Sequence, residues 1–450
     1  MQEIKLQIDK ILVYLKEYYP LISCHMVNYF NKNLYENCTP NELKLEFNQN
    51  EFDFYDAITN HDLAPNLFKF TQNCKQFLLY NGNICININD FHNKFDKTPQ
   101  NDLKLDVFMK NKKSHEVTIL SSVAFKLKLI GNTSHIIDLG DGKGYLSSLL
   151  AFHYKTPILG IDSSETNTNG AKKRAEKLSK NWDGIVKNQK RTVLTPRERK
   201  TNENSDLYKQ ITQFVDENTN LNELIETVFD AKPEGISLIG LHTCGHLAVS
   251  SLNIFVKNLN VKTICNVSCC YHFLEEQFES DSKLIGFPMS DYLKSVDFKL
   301  GRPARMLSAQ SIDRILSKKL PPSNTIFYRA ILEVIFDRFF PDLTDRNVGR
   351  SKRDFNSFGD YVKESFKRLE LDHSFLNDAD IEEVFNLFVN REKELYFFTL
   401  LRAFMAPAIE SLILLDRLLY LKENGVENSF LTHLFDPVVS PRCYGIIAFK

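Results

Sequence analysis

The sequence predicts an α/β fold in which a largely parallel sheet is flanked by helices. From His135 onward, short apolar segments alternate with helix-forming segments, and this alternation is typical of βαβ units. Two of the apolar segments end in an acidic residue, and a glycine-rich turn follows the first of them. The C-terminal segment adds an apolar helix and two β-prone runs, so we expect it to complete the same sheet with a reversed last strand.

Composition argues against several classes of protein. The chain has 450 residues, of which 43% are hydrophobic and 25% charged, and this is the usage of a globular protein rather than a disordered or fibrous one. The 56 Lys and Arg are balanced by 57 Asp and Glu. A wholly basic nucleic-acid-binding protein is therefore not expected, although local basic patches are compatible with this balance.

The chain is expected to reside in the cytoplasm or the nucleus. Its N-terminus lacks a basic segment followed by an apolar one, so no secretory signal is predicted. The most apolar stretch, 404–421, contains Glu410, Asp416 and Arg417, which predicts a buried helix and no membrane span. Nine cysteines without a framework spacing predict reduced thiols.

Residues 1–110 are predicted to form a mainly helical N-terminal region. Apolar residues recur at helical spacing from Ile4 to Leu15. The alternation of Ile84, Ile86 and Ile88 is compatible with a short strand or a loop. Ser114 is expected to be the N-cap of the next helix, whose body covers 117–129.

Residues 111–294 are predicted to be the core of the α/β fold. The predicted strands are 135–139, 157–161, 208–215, 235–241 and 261–267. The predicted helices between them are 145–153, 169–178, 221–229 and 246–257.

The remaining sequence is divided into two predicted parts. Residues 295–400 are charged and helical, so we expect a helical insertion. Residues 401–450 contain a helix at 412–421 and β-prone runs at 430–435 and 444–449. These two runs are expected to complete the core sheet.

The glycine-rich turn predicts a nucleotide-type cofactor site. The segment Asp138-Leu-Gly140-Asp-Gly142-Lys-Gly144 joins a strand to a helix, where glycines let backbone approach a ligand. The spacing does not match the dinucleotide pattern, and an acid at the strand end suits the cationic S-adenosylmethionine better than a phosphate. Asp162 ends the next strand and is expected to accept hydrogen bonds from both ribose hydroxyls. The alternative is a turn that serves packing alone.

Several segments, taken together, resemble one known family. They are Lys112-Lys113-Ser-His115-Glu116-Val117, the glycine-rich turn, Leu241-His-Thr-Cys-Gly245, Asn266-Val-Ser-Cys-Cys-Tyr271, Gly286-Phe-Pro-Met-Ser290 and Ser440-Pro-Arg442. In this order they resemble the methyltransferase-like proteins of the ribosomal RNA adenine dimethylase domain-containing group. The resemblance implies a Rossmann-like class I methyltransferase sheet and S-adenosylmethionine as cofactor.

The nature of the methylated atom is a separate question. Adenine N6 methylation in such folds uses Asn/Asp-Pro-Pro-Tyr/Phe after the fourth strand, and here the position holds Leu241-His-Thr-Cys-Gly245, without proline or aromatic residue. We therefore do not predict adenine dimethylation. The Cys-Gly motif and the following Cys-Cys-Tyr-His also resemble, more weakly, tRNA ribose 2′-O-methyltransferases.

Histidines and cysteines follow two predicted strands. A hydroxyl acceptor requires a general base, and histidine is the usual choice near neutral pH. We therefore assign His242, Cys269, Cys270 and His272 to the predicted catalytic set, and His242 also to the cofactor set with Asp138, Gly140, Gly142, Gly144 and Asp162. The alternative is that the cysteines are buried small hydrophobic residues and the histidines structural. A zinc site would use the same groups with Cys244 and His246, but no Cys-x-x-Cys pair is present and no metal is predicted.

Local basic segments predict RNA as the substrate. Residues 171–200 contain eleven Lys and Arg against three acids, and Arg302, Arg305, Arg314, Lys318, Lys319, Arg346, Arg350, Lys352 and Arg353 continue this charge. Lys112, Lys113, His115 and Glu116 are expected to reach the substrate or to cap the helix that they precede. A solvated helix face is the alternative for the basic residues. A protein methyltransferase and a catalytically silent binding protein are the other two functions that the sequence allows.

Overall fold

A computed structural model describes residues 1–95, 109–190, 206–278, 285–319, 322–349, 355–372 and 376–450. Eight strands form one mixed sheet in the order β1-β7-β8-β6-β5-β2-β3-β4. The strands are β1 Cys85–Asn87, β2 His135–Leu139, β3 Ile158–Asp162, β4 Tyr208–Thr212, β5 Ile236–Cys244, β6 Val261–Cys269, β7 Asn428–His433 and β8 Tyr444–Phe449.

Strand β8 is the reversed strand of this sheet. It pairs antiparallel with β6 on one side and with β7 on the other, while the remaining neighbours pair in parallel. Every residue of β2 is buried, as expected for a parallel strand covered on both faces. The predicted α/β fold with a Rossmann-like sheet is confirmed, and the C-terminal runs do complete that sheet.

Nineteen α-helices are present in the described part of the chain. They are α1 Gln2–Glu17, α2 Tyr19–Ser23, α3 Leu34–Cys38, α4 Asn41–Gln49, α5 Phe54–Ala57, α6 Pro65–Lys75, α7 Ile88–Lys94, α8 Asn111–Ile130, α9 Tyr145–Phe152, α10 Glu165–Lys190, α11 Leu221–Phe229, α12 His246–Lys257, α13 Asp291–Lys294, α14 Gly301–Leu307, α15 Ile312–Lys318, α16 Asn324–Phe339, α17 Phe358–Arg368, α18 Asp378–Phe388 and α19 Glu392–Glu423.

The predicted start of helix α8 is wrong. The helix begins at Asn111 with Lys110 at the N-cap position, and Ser114 is a buried residue inside the helix. The earlier start places Lys112 one turn before Glu116, where the two side chains form an i,i+4 ion pair at 3.1 Å. This pair explains why the helix includes residues that the capping pattern assigned to the preceding loop.

Two strands are longer than predicted. Strand β5 continues through Cys244 and β6 through Cys269, so residues expected to follow these strands are instead their last residues. The run of apolar residues in the sequence of β5 ends near Leu241. The pairing of β5 with β6 continues past it, with Thr243 opposite Ser268 and Cys244 opposite Cys269.

The chain divides into two compact units. The first contains residues 1–13, 76–314 and 407–450, and it holds the whole sheet. The second contains 14–75 and 315–406 and is helical in its described part. Within the second unit, the buried Glu46 accepts hydrogen bonds from the backbone of Asn66 and Leu67. The sequence-based domain boundaries at 110, 294 and 400 stay a prediction.

The helical stretch Asp378–Glu423 is long and apolar enough to cross a membrane by length and composition alone. However, 94% of its most apolar window is buried inside the protein. Burial to this extent is what a core helix shows, in agreement with the prediction for 404–421.

Candidate active site

A cavity of about 640 Å³ lies at the carboxyl ends of the parallel strands β2, β3 and β5. Open parallel sheets bind their ligands at this edge because the loops after the strands diverge there. The lining comes from the ends of these strands and the segments that follow them, from the segment after β4 and from α8; it includes Asp138, Gly140, Gly142, Asp162, Phe214, His242, Cys244 and His246.

The glycine-rich turn brings backbone to the cavity wall. Gly140, Gly142 and Gly144 have φ values of 76°, 59° and 69°, in the left-handed region that favours glycine. At Gly144 a Cβ atom would lie 2.3 Å from the Tyr208 hydroxyl, so no other residue fits without a shift. The backbone N–H of Gly142 donates to Asp162 Oδ2 at 2.9 Å, which ties the turn to the end of β3.

The carboxyl group of the buried Asp138 lies close to that of Asp141, a half-buried residue of the turn. The Ser147 hydroxyl lies 3.0 Å from Asp138 Oδ2 and 2.7 Å from Asp141 Oδ1, and the Tyr208 hydroxyl donates to Asp141. Burial raises the pKa of Asp138 well above its usual range, and the nearby charge of Asp141 raises it further. Asp138 Oδ1 is buried and has no hydrogen-bond partner among the described residues. This atom is therefore an acceptor available to a cationic or N–H-bearing ligand.

Asp162, the last residue of β3, is held in a fixed orientation. Its Oδ1 accepts from the backbone N–H of Ser164 at 2.9 Å and from the Asn167 side chain at 3.1 Å, while Oδ2 accepts from Gly142. A carboxylate oxygen accepts more than one hydrogen bond, so this group retains capacity for ligand hydroxyls. The predicted cofactor residues other than Gly144 thus line one cavity, and their set fits a cationic ligand that carries vicinal hydroxyl groups.

A bulge in β5 directs His242. Leu241 pairs with Val267 and Thr243 with Ser268, so His242 is the extra residue, with a φ of 64°. Its Nε2 lies 3.1 Å from the carboxylate of Glu116 on α8. Bulges next to active sites re-aim a side chain in this way.

Glu116 is almost fully buried and acts as the hub of a small polar network. Besides His242, it binds Lys112 at 3.1 Å and accepts from the Ser440 hydroxyl at 2.5 Å. Burial by itself would raise the pKa of Glu116, but the hydrogen bonds from His242 and Ser440 and the charges of His242 and Lys112 outweigh it and lower the pKa to about 2. Glu116 is therefore an ionised carboxylate that can orient an imidazole.

The other residues predicted to bind substrate, Lys112, Lys113 and His115, do not lie together. Lys113 lines the cavity, with its Nζ 4.8 Å from the centre of the Tyr145 ring, and burial lowers its pKa. His115 instead accepts from the backbone N–H of Asp436 at 3.1 Å, in the loop between β7 and β8. Lys112 lies at the rim through its contact with Glu116. Whether these side chains bind substrate stays a prediction.

The predicted catalytic cysteines form a thiol cluster with Cys244. The Sγ atom of Cys244 lies 3.0 Å from that of Cys269 and 3.5 Å from that of Cys270. Of these three residues, Cys244 lines the cavity. His272 is outside the lining, and its Nδ1 is buried without a hydrogen-bond partner in the described structure.

Sequence reasoning missed Asp141, Tyr208 and Ser440. Asp141 lies within the quoted turn, and Ser440 lies within a quoted C-terminal motif, so both carried a signal that remained unassigned. Tyr208 begins a strand and gave no signal, because its hydroxyl reaches Asp141 only when β4 lies beside β3.

A family model described as a methyltransferase domain matches residues 112–277. Probable methyltransferase-like protein 25 of Mus musculus is 33% identical over 470 aligned positions, covering 80% of this chain and 78% of that protein. Its counterpart from Homo sapiens is 33% identical over 456 positions, with 76% and 75% covered. Among solved structures, the methyltransferase domain of bacterial CtHen1-CN is 17% identical with a TM-score of 0.23, covering 35% of this chain and 65% of that chain.

Proposed function

This chain belongs to the family of methyltransferase-like protein 25 and is a methyltransferase, and from that premise we propose that it binds S-adenosylmethionine in the cavity at the strand ends and methylates RNA. The observation that carries the proposal is that three features lie at one cavity. They are the buried Oδ1 of Asp138, which has no hydrogen-bond partner among the described residues, the glycine-rich turn and a basic rim. The narrower grouping with ribosomal RNA adenine dimethylase domain-containing proteins stays a prediction.

The residues around the cavity fit this cofactor. Asp138 Oδ1 offers an acceptor for its ammonium group, and Asp162 offers acceptors for its ribose hydroxyls. Gly140 and Gly142 have no side chain, so their backbone is accessible to a ligand at the cavity wall. When bound, S-adenosylmethionine supplies an electrophilic methyl group on a cationic sulfur. The ligand's positive charge would offset the repulsion between Asp138 and Asp141.

The polar network around Glu116 suits the handling of a proton. Glu116 holds Nε2 of His242, so the second ring nitrogen, Nδ1, is the one that can accept a proton from a substrate. A buried carboxylate that orients a histidine in this way is the arrangement found in hydrolase triads. The network therefore favours an acceptor that loses a proton, such as a hydroxyl, over a ring nitrogen with a free lone pair.

A basic rim supports RNA as the substrate class. The Tyr145 ring, at the start of α9, lies between Lys113 at 4.8 Å and Arg174 at 4.6 Å. Lys172, Lys173, Lys177 and Lys180 are exposed on α10, which follows the strand ending in Asp162. Such a concentration of positive charge on a neutral protein attracts a phosphate backbone.

Two of the other basic residues singled out in the sequence, Arg305 and Arg346, are paired with acidic side chains instead. Arg305 is buried and paired with Glu276, and Arg346 binds Glu333 and Asp337. Residues 191–200 and 350–353 lie outside the described part of the chain, as do the side chains of Lys187 and Lys190.

The test is transfer of a labelled methyl group from S-adenosylmethionine to RNA or protein fractions of cells that lack the enzyme. We expect label in RNA, removed by ribonuclease. A variant with Lys172, Lys173 and Lys177 changed to Glu should lose RNA methylation while keeping cofactor affinity. Its matched control changes Lys10, Lys16 and Lys32, which are exposed elsewhere, and should behave as the parent protein.

The other outcomes would contradict the proposal. Label confined to the protein fraction would identify a protein methyltransferase. Cofactor binding without transfer to any fraction would identify a silent binding protein. Activity that is independent of salt would also contradict it, since phosphate contacts weaken as counterions are added.

A further inference from the structure

Three thiols converge beside the cavity although the chain brings them from two different strands. Cys244 is the last residue of β5 and Cys269 the last residue of β6, and the two are direct partners in the sheet. Their Sγ atoms are 3.0 Å apart. Cys270 adds a third Sγ at 3.5 Å from Cys244 and 3.6 Å from Cys269.

The backbone is arranged so that the adjacent cysteines point the same way. Successive side chains of an extended strand point to opposite faces of a sheet. Cys270 departs from the strand with φ 50° and ψ 48°, a left-handed conformation that is unfavourable for a non-glycine residue. This turn returns its thiol to the side of Cys269, and backbone strain of this kind is found at functional sites.

Packing alone does not account for the cluster. A buried cysteine that acts as a small hydrophobic residue has no need of other thiols, and Cys265 of β6 is an example. Cys244, in contrast, is exposed and lines the cavity. In the described part of the chain this is the one group of three His, Cys, Asp or Glu residues whose ligand atoms all lie within 4.8 Å of one another.

The distances between the sulfur atoms suit a shared ion. Thiolates bound to zinc at about 2.3 Å in a tetrahedron have sulfur atoms about 3.8 Å apart. The Sγ atom of Cys270, at 3.5 and 3.6 Å from the other two, is close to that spacing, whereas the 3.0 Å between Cys244 and Cys269 has to widen when the ion binds. A disulfide would use two of the three thiols and leave the third without a role.

We infer that Cys244, Cys269 and Cys270 form a binding site for one Zn²⁺ ion, with the fourth coordination position on the cavity side. Binding displaces the thiol protons to solvent and involves no oxidation or reduction. Three protein ligands and one open position are the arrangement of zinc sites that take part in chemistry. The site is independent of whether RNA is the substrate. The absence of a Cys-x-x-Cys pair predicted no metal, but that rule applies to ligands from one loop, whereas these come from neighbouring strands.

The test uses the full-length protein, reduced, stripped with a chelator and titrated with Zn²⁺ against a chromophoric chelator. We expect one tight equivalent per chain, and X-ray absorption at the zinc edge should show three sulfur neighbours. Cys244→Ser should weaken affinity at least about 10-fold, since even residues that only orient ligands cost 10- to 100-fold. Cys38→Ser, a half-buried cysteine of the second unit, is the matched control and should bind zinc as the parent does.

A substitution at the buried Cys269 could disturb folding, so the exposed Cys244 is the better position to change. A melting curve of the Cys244→Ser protein would verify that it is folded. The X-ray absorption measurement uses the parent protein and does not depend on any variant. Uptake equal in the parent and in Cys244→Ser, fewer than three sulfur neighbours, or a disulfide among these cysteines in freshly isolated protein would overturn the inference.

Discussion

His242 and Glu116 meet at 3.1 Å, although they come from a strand bulge and from a helix that begins 24 residues before β2. The buried carboxylate fixes the orientation of the imidazole, and in the function proposed above Nδ1 accepts a proton from the substrate. His272, the other candidate base, is outside the cavity lining. The two histidines that the sequence treats alike are therefore not equivalent in the structure.

This difference predicts the outcome of two substitutions. His242→Ala should lower turnover by about 100-fold or more, the lower range for loss of a general base. His272→Ala should change turnover far less. Steady-state kinetics on the substrate found by labelling, with calorimetry of S-adenosylhomocysteine to verify cofactor binding, would measure both. Equal turnover in His242→Ala and the parent would remove the proton-transfer role.

Glu116 predicts how stability depends on pH. Its folded-state pKa of about 2 lies below the ordinary value of 4.5, so its contribution is fully present above pH 4.5 and is lost as the pH falls toward 2. The shift corresponds to about 3 kcal/mol in the free energy of unfolding. In Glu116→Gln the free energy of unfolding should lack this dependence on pH between 4.5 and 2. Urea denaturation at several pH values would measure it. Glu226→Gln, on an exposed face of α11, is the control, and the same pH slope in both variants would argue against the network.

We expect the Asp162→Ala protein to bind the cofactor more weakly. The substitution should weaken S-adenosylhomocysteine binding by about 1.5–3 kcal/mol, the range for hydrogen bonds to a charged group. Because Asp162 also holds Gly142 and Ser164, the melting temperature should fall as well. Calorimetry would measure the binding of S-adenosylhomocysteine, and the control variant Glu226→Ala should bind it as the parent protein does. Unchanged binding, or a preference for NAD, would contradict the cofactor assignment.

The C-terminal hairpin predicts the result of a truncation. Removing residues 426–450 deletes β7 and β8, and β8 lies between β6 and β7 in the sheet. An open apolar edge is a site of aggregation, so the shortened protein should be insoluble or lose its cooperative melting transition. Size-exclusion chromatography and thermal melting would measure this. A monomeric product with the parent's melting temperature and cofactor affinity would be the contrary result.

The sequence predicted the sheet well and the site only in part. Alternating apolar runs located β2, β3, β5 and β6, because burial on both faces requires such runs. The candidate cofactor residues were predicted because glycines and acids fall at strand ends, close to each other along the chain, and their role in binding stays a prediction. The pair formed by Glu116 and His242 was not predicted, since it depends on a bulge and on a helix that starts earlier than its capping pattern suggests. The thiol cluster was also beyond prediction, because it requires the strand register and the backbone turn at Cys270.

The position of β8 has a consequence for synthesis on the ribosome. Strand β6 is complete when Cys269 has been made, but its antiparallel neighbour begins at Tyr444, 175 residues later. At typical rates this is roughly 9 to 35 seconds of translation. During that interval the nascent chain exposes an unpaired strand edge, which chaperones that hold incomplete chains would need to cover. Ribosomes that stall before the codons of β7 and β8 would therefore release a chain in which β6 is complete but its antiparallel neighbour is missing.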